Sequence, residues 1–132
     1  MGGRWVTVAA INGLLAVALG AFGAHVLKGR LEPAQLSSFE VGVRYQMYHA
    51  LALLAVAWVI SNRPSRAARA AAIFMLIGVI LFSGSIYGLT LASWRWLGPV
   101  TPIGGVCLMI AWVLLAWAGG GTMRGGPVER LP

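Results

Sequence analysis

The chain has 132 residues, of which 59% are hydrophobic and only 10% charged, whereas soluble domains carry roughly 25% charged residues. So few polar groups cannot cover a water-facing surface, which excludes a soluble globular domain and leaves lipid as the solvent that fits. The formal net charge of +7 sits on basic residues scattered over the connections between apolar stretches, a pattern of topology signals and anionic-headgroup contacts, not of a nucleic-acid surface.

Four stretches contain no Asp, Glu, Lys or Arg: 5–27, 45–62, 70–94 and 96–123. A hydrocarbon core of ~30 Å needs about 20 apolar residues in a helix, and each stretch is near that length or longer. The period-two alternation of barrel strands is absent. Backbone groups in lipid must be satisfied within the segment, so the stretches are helices. The predicted fold is an all-α integral membrane four-helix bundle, a single domain over 1–132. Its spans lie near 5–27, 43–60, 70–92 and 102–118, with an amphipathic interfacial helix near 33–42.

Span 1 follows Arg4 and outruns the usual 7–15-residue core of a signal peptide, so it reads as a retained helix. Gly13, Ala16, Gly20 and Gly23 recur at spacings of three and four and form a stripe for close helix approach. Asn12 is a lone amide deep in this span, suited to an interhelical hydrogen bond. The connection over 28–44 concentrates Lys28, Arg30, Glu32, Glu40 and Arg44. Glu32-Pro33 reads as a helix start. Leu36, Phe39, Val43 and Met47 then recur at helical spacing. They predict a surface helix that bends at Gly42 or runs directly into span 2.

Arg63, Arg66 and Arg69 lie between spans 2 and 3. Span 3 holds Gly84 and Gly88, a GxxxG pair beside Ser83 and Ser85, read as packing within the bundle. Thr101-Pro102 reads as the start of span 4, and Gly119-Gly120-Gly121 as its end. Cys107 is the only cysteine, which excludes an intramolecular disulfide and fits a small core residue.

Four spans put both termini on one side. That side carries six basic residues (Arg4, Arg63, Arg66, Arg69, Arg124 and Arg130), and the other carries four (Lys28, Arg30, Arg44 and Arg95). The positive-inside rule therefore predicts cytoplasmic termini. Trp5, Trp58 and Trp117 fall near one interface, with Trp94 and Trp96 near the other, as aromatic belts do.

Ionisable and polar groups near membrane depth are costly, so the few present are the candidates for function. His25 ends span 1, and His49 follows Arg44-Tyr45-Gln46-Met47-Tyr48 in span 2. The candidate site is a polar pocket at the outer interface formed by His25, Glu40, Arg44, Tyr45, Gln46 and His49. Glu40 and Arg44, like Tyr45 and His49, are i,i+4 neighbours. Two imidazoles on adjacent helices can ligate a metal or haem iron, relay a proton or hold a quinone headgroup. The same cluster can equally be a hydrogen-bond network locking the helices together, because unpaired polar groups near hydrocarbon cost several kcal/mol. His25 and His49 are thus weak metal candidates, and no cofactor is specified. No recognised metal, nucleotide or nucleophile motif is present, and three acidic residues in all give acid–base catalysis few candidates.

Four segments carry a family resemblance. Gly20-Ala21-Phe22-Gly23-Ala24-His25 resembles the GAFGAH motif of the family catalogued as domain of unknown function 423. The run from Gly42 through Arg44-Tyr45-Gln46-Met47-Tyr48-His49 to Leu51 resembles its second motif. Leu81-Phe82-Ser83-Gly84-Ser85-Ile86-Tyr87 and Leu97-Gly98-Pro99-Val100-Thr101-Pro102-Ile103-Gly104-Gly105 resemble two more. The matches lie in order and cover nearly the whole chain. They imply a small bacterial inner-membrane protein of four spans, similar to the eukaryotic transmembrane protein 256, and carry over no catalytic residues. The resulting expectation is a non-enzymatic membrane interaction or assembly component, in contact with the bilayer and with a homo-oligomeric or other membrane-protein partner. The alternative is binding or transport of a small ligand, metal or haem around His25 and His49.

Overall fold

The computed structural model describes residues 1–120. Helix α1, Gly2–Phe22, widens at its end into a π-helical turn, Gly23–Leu27. Helix α2 is Pro33–Asn62, α3 is Arg66–Leu91, and α4 is Val100–Gly120, preceded by a 3-10 turn at Arg95–Leu97. Each is long and apolar enough to cross a membrane. The all-α membrane bundle read from composition is the fold observed.

Local chemistry sets the helix starts. Pro33 occupies the first turn of α2, where its missing N–H costs nothing, and the Glu32 N–H donates to Gln35 Oε1 at 3.2 Å. Ser65 caps α3 by accepting from the Ala68 N–H at 3.0 Å. Gly29, at φ 86, turns the chain between α1 and α2 in a conformation that glycine adopts without penalty.

The helices pack antiparallel in chain order, α1 on α2, α2 on α3 and α3 on α4, while α2 barely meets α4. Only 17% of the apolar stretch of α1 and of α4 is buried, against 44% for α2 and α3. The central pair is therefore α2–α3, and α1 and α4 flank it. Lipid helices gain little from the hydrophobic effect between them, so small residues that admit close contact carry the packing. A Cβ on Gly20 would lie 3.4 Å from Val43, and one on Gly23 would lie 2.8 Å from the Phe39 ring. Gly13 faces Ala50 more loosely, at 3.9 Å. Gly78 receives Leu108, and Gly104 lies directly on the backbone of Leu81 and Phe82. A core of Leu53, Val56, Ile60, Ala71, Ala72 and Met75 fills the α2–α3 seam.

Several sequence expectations are corrected. Of the two courses open to residues 33–42, a bend at Gly42 or a direct run into span 2, the structure takes the second: they are the first turns of one unbroken α2. Phe39 explains this, because it is fully buried and draws the segment into the bundle. Gly42 is no bend: a Cβ there would meet Tyr87 at 3.0 Å and Ile86 at 3.1 Å, so it marks close approach of α3. Of the GxxxG pair, Gly88 packs on Leu97, but Gly84 has nothing within 4 Å and is not a packing residue. Gly119 and Gly120 lie inside α4. Gly121, Arg124, Glu129 and Arg130 lie outside the described residues.

Candidate functional site

His49 sits near the middle of α2 and is buried. Its Nδ1 lies 2.6 Å from the Tyr45 carbonyl oxygen, which only accepts, so Nδ1 carries the proton. Its Nε2 accepts from the Trp112 indole N–H of α4 at 3.1 Å. This fixes one tautomer of a neutral ring and commits both nitrogens. A metal would have to displace the indole. The bond is also a polar tie between α2 and α4, which otherwise hardly touch.

The structure does not bring His25 to His49. Gly23 lies on Phe39, so in the antiparallel register His25 stands level with residues just before Phe39. His49 is ten or more residues further along α2, on the order of 15 Å at 1.5 Å per residue. His25 is exposed in the π-helical turn, and Glu40 and Arg44 are exposed on α2. Glu40 and Arg44 edge a shallow pocket with Gly20 and Gly23, but among the described residues they form no ion pair. Tyr45 is exposed too, and its ring tilts against Phe82 with centroids 4.6 Å apart. No group of three His, Cys, Asp or Glu among the described residues could hold a metal ion.

Of the six residues predicted together, Gln46 joins a different constellation. It is buried in α2, and its Oε1 accepts from the Tyr87 hydroxyl of α3 at 2.7 Å. One turn earlier on α3, Ser83 donates to the Gly42 carbonyl at 2.7 Å. Ser83, Gly84 and Tyr87 line a groove of about 400 Å³ between α1 and α3 with Gln46 and Asn12. The walls are otherwise apolar, including Leu15, Leu19, Leu76 and Ile80. Gly84 leaves the groove open, since a Cβ there meets nothing.

Two amides on this groove are incompletely satisfied. Asn12 and Gln46 are only 9% and 5% exposed. Asn12 Nδ2 donates to the Val8 carbonyl at 3.2 Å, and its Oδ1 has no partner among the described residues. Gln46 uses one amide atom on Tyr87, and whichever way the amide is turned its other polar atom has none. No buried polar atom fully shut off from solvent is unpaired among the described residues, so these free atoms keep some access to the surface, and both residues line the groove. An unmatched amide at membrane depth costs free energy unless something fills its valence. By helix register the two amides are five residues apart along the axis, about 8 Å.

Sequence reading missed Trp112, Ser83 and Tyr87 as site residues. Trp112 had a legible mark: it stands mid-span, away from the interfaces where tryptophans of a membrane helix concentrate. Ser83 and Tyr87 share the α3 face at i,i+4 spacing, but no sequence feature says that this face meets Gln46.

The fold and the groove together define a small four-span α-helical integral membrane protein. The chain belongs to the family described as "Protein of unknown function (DUF423)", whose model matches residues 19–105. It is 42% identical to the UPF0382 membrane protein YwdK of Bacillus subtilis, covering 86% of this chain and 94% of that protein. It is 41% identical to the UPF0382 inner membrane protein YgdD of Escherichia coli, covering 81% of this chain and 82% of that protein. A UPF0382 membrane protein of Haemophilus influenzae is 42% identical, covering 89% and 94%. No solved structure matches the chain.

Proposed function

We propose that this is a non-enzymatic component of the bacterial inner membrane, with both termini cytoplasmic, that works by holding a partner molecule within the bilayer. The observation that carries this reading is the groove between α1 and α3, where two unmatched amides face an open, lipid-side space. The name of the Escherichia coli relative as an inner membrane protein supports the compartment. The clustering of Arg4, Arg63, Arg66 and Arg69 at the end that holds the N-terminus supports the orientation. Binding, not chemistry, is favoured by the placement of titratable groups. The His49 ring is fully engaged, and Glu32 and Glu40 are exposed and do not line the groove.

A photo-crosslinking amino acid at Ile80, which lines the groove, tests this in living membranes. Val113 on α4, comparably exposed at 65% against 59%, is the control. The expected result is one adduct of defined mass from position 80 and only diffuse lipid adducts from position 113. Indistinguishable products from the two positions would overturn the reading.

A further inference from the structure

The groove between α1 and α3 narrows the class of molecule that fills it, granted the binding role proposed for it. Its volume of about 400 Å³ falls in the range of small-ligand sites. A transmembrane helix, 10–12 Å across with its side chains, could seat only a ridge of side chains in a space of that volume, whereas a small amphiphile can enter it whole. The polar atoms lie near the middle of α1 and α2, whereas phospholipid headgroups are confined to the interfaces. An acyl chain has no atom for an amide to bond. No charged side chain lines this stretch, so a charged head would have no counter-ion, and burying one would be costly. What remains is an uncharged amphiphile that can place a polar head at mid-bilayer depth.

The available hydrogen bonds define that head further. Gln46 offers a free N–H₂ group, because its Oε1 is used by Tyr87. Asn12 offers the second hydrogen of Nδ2, since the first goes to Val8. Against these three hydrogens stands one free acceptor, Asn12 Oδ1, so the groove presents mainly donors and its occupant should be rich in acceptors. We infer that the α1–α3 groove binds a lipid-soluble carbonyl compound of the isoprenoid quinone class, with Gln46 and Asn12 donating to its ring oxygens. The tail would run along Leu15, Leu19 and Ile80, and Gly84 would give the flat ring room against α3. Binding alone is inferred, and it requires no redox step.

The test uses the full chain in mild detergent and decylubiquinone as the probe, measured by equilibrium dialysis against dodecanol as a long-chain alcohol control. The expected result is saturable binding of decylubiquinone near one equivalent, and only detergent-like partitioning of dodecanol. Gln46→Leu should weaken binding about tenfold, the loss of roughly 1.4 kcal/mol. Gly84→Leu should abolish binding by filling the groove, with the thermal melt unchanged. Asn12→Val serves as a second groove variant if Gly84→Leu does not fold. Non-saturable uptake, or equal binding by wild type, Gln46→Leu and the groove-filling variant, would overturn the inference. A defined photo-adduct at position 80 without decylubiquinone binding would leave the binding role standing and reject the quinone class; absence of both would reject both.

Discussion

At the scale of single residues, the interior polar groups sort into those that tie helices and those that face open space. His49 and Trp112 belong to the first kind. Measured interhelical hydrogen bonds in membrane proteins average about 0.6 kcal/mol and reach about 1.7. A double-mutant cycle of His49→Ala and Trp112→Phe, read by thermal unfolding in detergent, should give a favourable coupling in that range. His25→Ala should change stability by no more than about 0.5 kcal/mol, as expected of an exposed side chain. Equal losses at both histidines would show that His25 has a partner the fold does not provide. The sequence identified His49 and Gln46 as important because polar residues at membrane depth are rare. It grouped them with Glu40 and Arg44 through nearness along the chain, and with His25 because four spans put the end of span 1 and the start of span 2 on the same side. Gln46 and His49 are three residues apart and nearly share a face of α2, and the chain does not say which neighbouring helix each will meet. His49 thus turned toward α4 and Gln46 toward α3.

At the scale of helices, glycine has two opposite meanings here. Gly104 brings α4 onto the α3 backbone, with a built Cβ only 2.8 Å from the Leu81 carbonyl carbon. Backbone cannot swing aside as a side chain can, so Gly104→Ala should destabilise the α3–α4 pair by about 1–3 kcal/mol or more. Gly84→Ala should be neutral or slightly stabilising, since it enters open space and favours the helix. Melting curves of the two variants check the contrast, and a neutral Gly104→Ala would contradict the close contact. Apolar length made the four helices legible, and small residues at packing intervals made the Gly20–Gly23 stripe legible. Gly84 and Gly88 look alike in the sequence. Only the position of the loop at Leu97, which covers Gly88 alone, separates them. The unbroken course of α2 was half-legible: Glu32-Pro33 marked its start, while Gly42 suggested a bend because close approach and flexibility call for the same residue.

At the scale of the whole molecule, the bundle is a central α2–α3 pair with a flanking helix on each side. Met1, Arg4, Ile60 and Arg69 share one pocket, and Asn62, Arg63 and Gly119 share another. The N-terminus, the α2–α3 turn and the end of α4 therefore lie at the same end. In a Cys107→Ser background, Arg30→Cys should react with a membrane-impermeant maleimide in intact spheroplasts. Pro64→Cys should react only after permeabilisation, and the reverse pattern would contradict cytoplasmic termini. Because α1 and α4 do not close over the central pair, the groove beneath α1 is reachable from lipid, and a binding role depends on that opening.

Native mass spectrometry of protein released from gentle detergent tests the binding role most directly, comparing wild type with Gly84→Leu at matched melting temperature. A non-covalent adduct of defined mass is expected on the wild-type chain and should be missing from Gly84→Leu. Bare chain in both samples, or the same adduct in both, would contradict a ligand held in the α1–α3 groove.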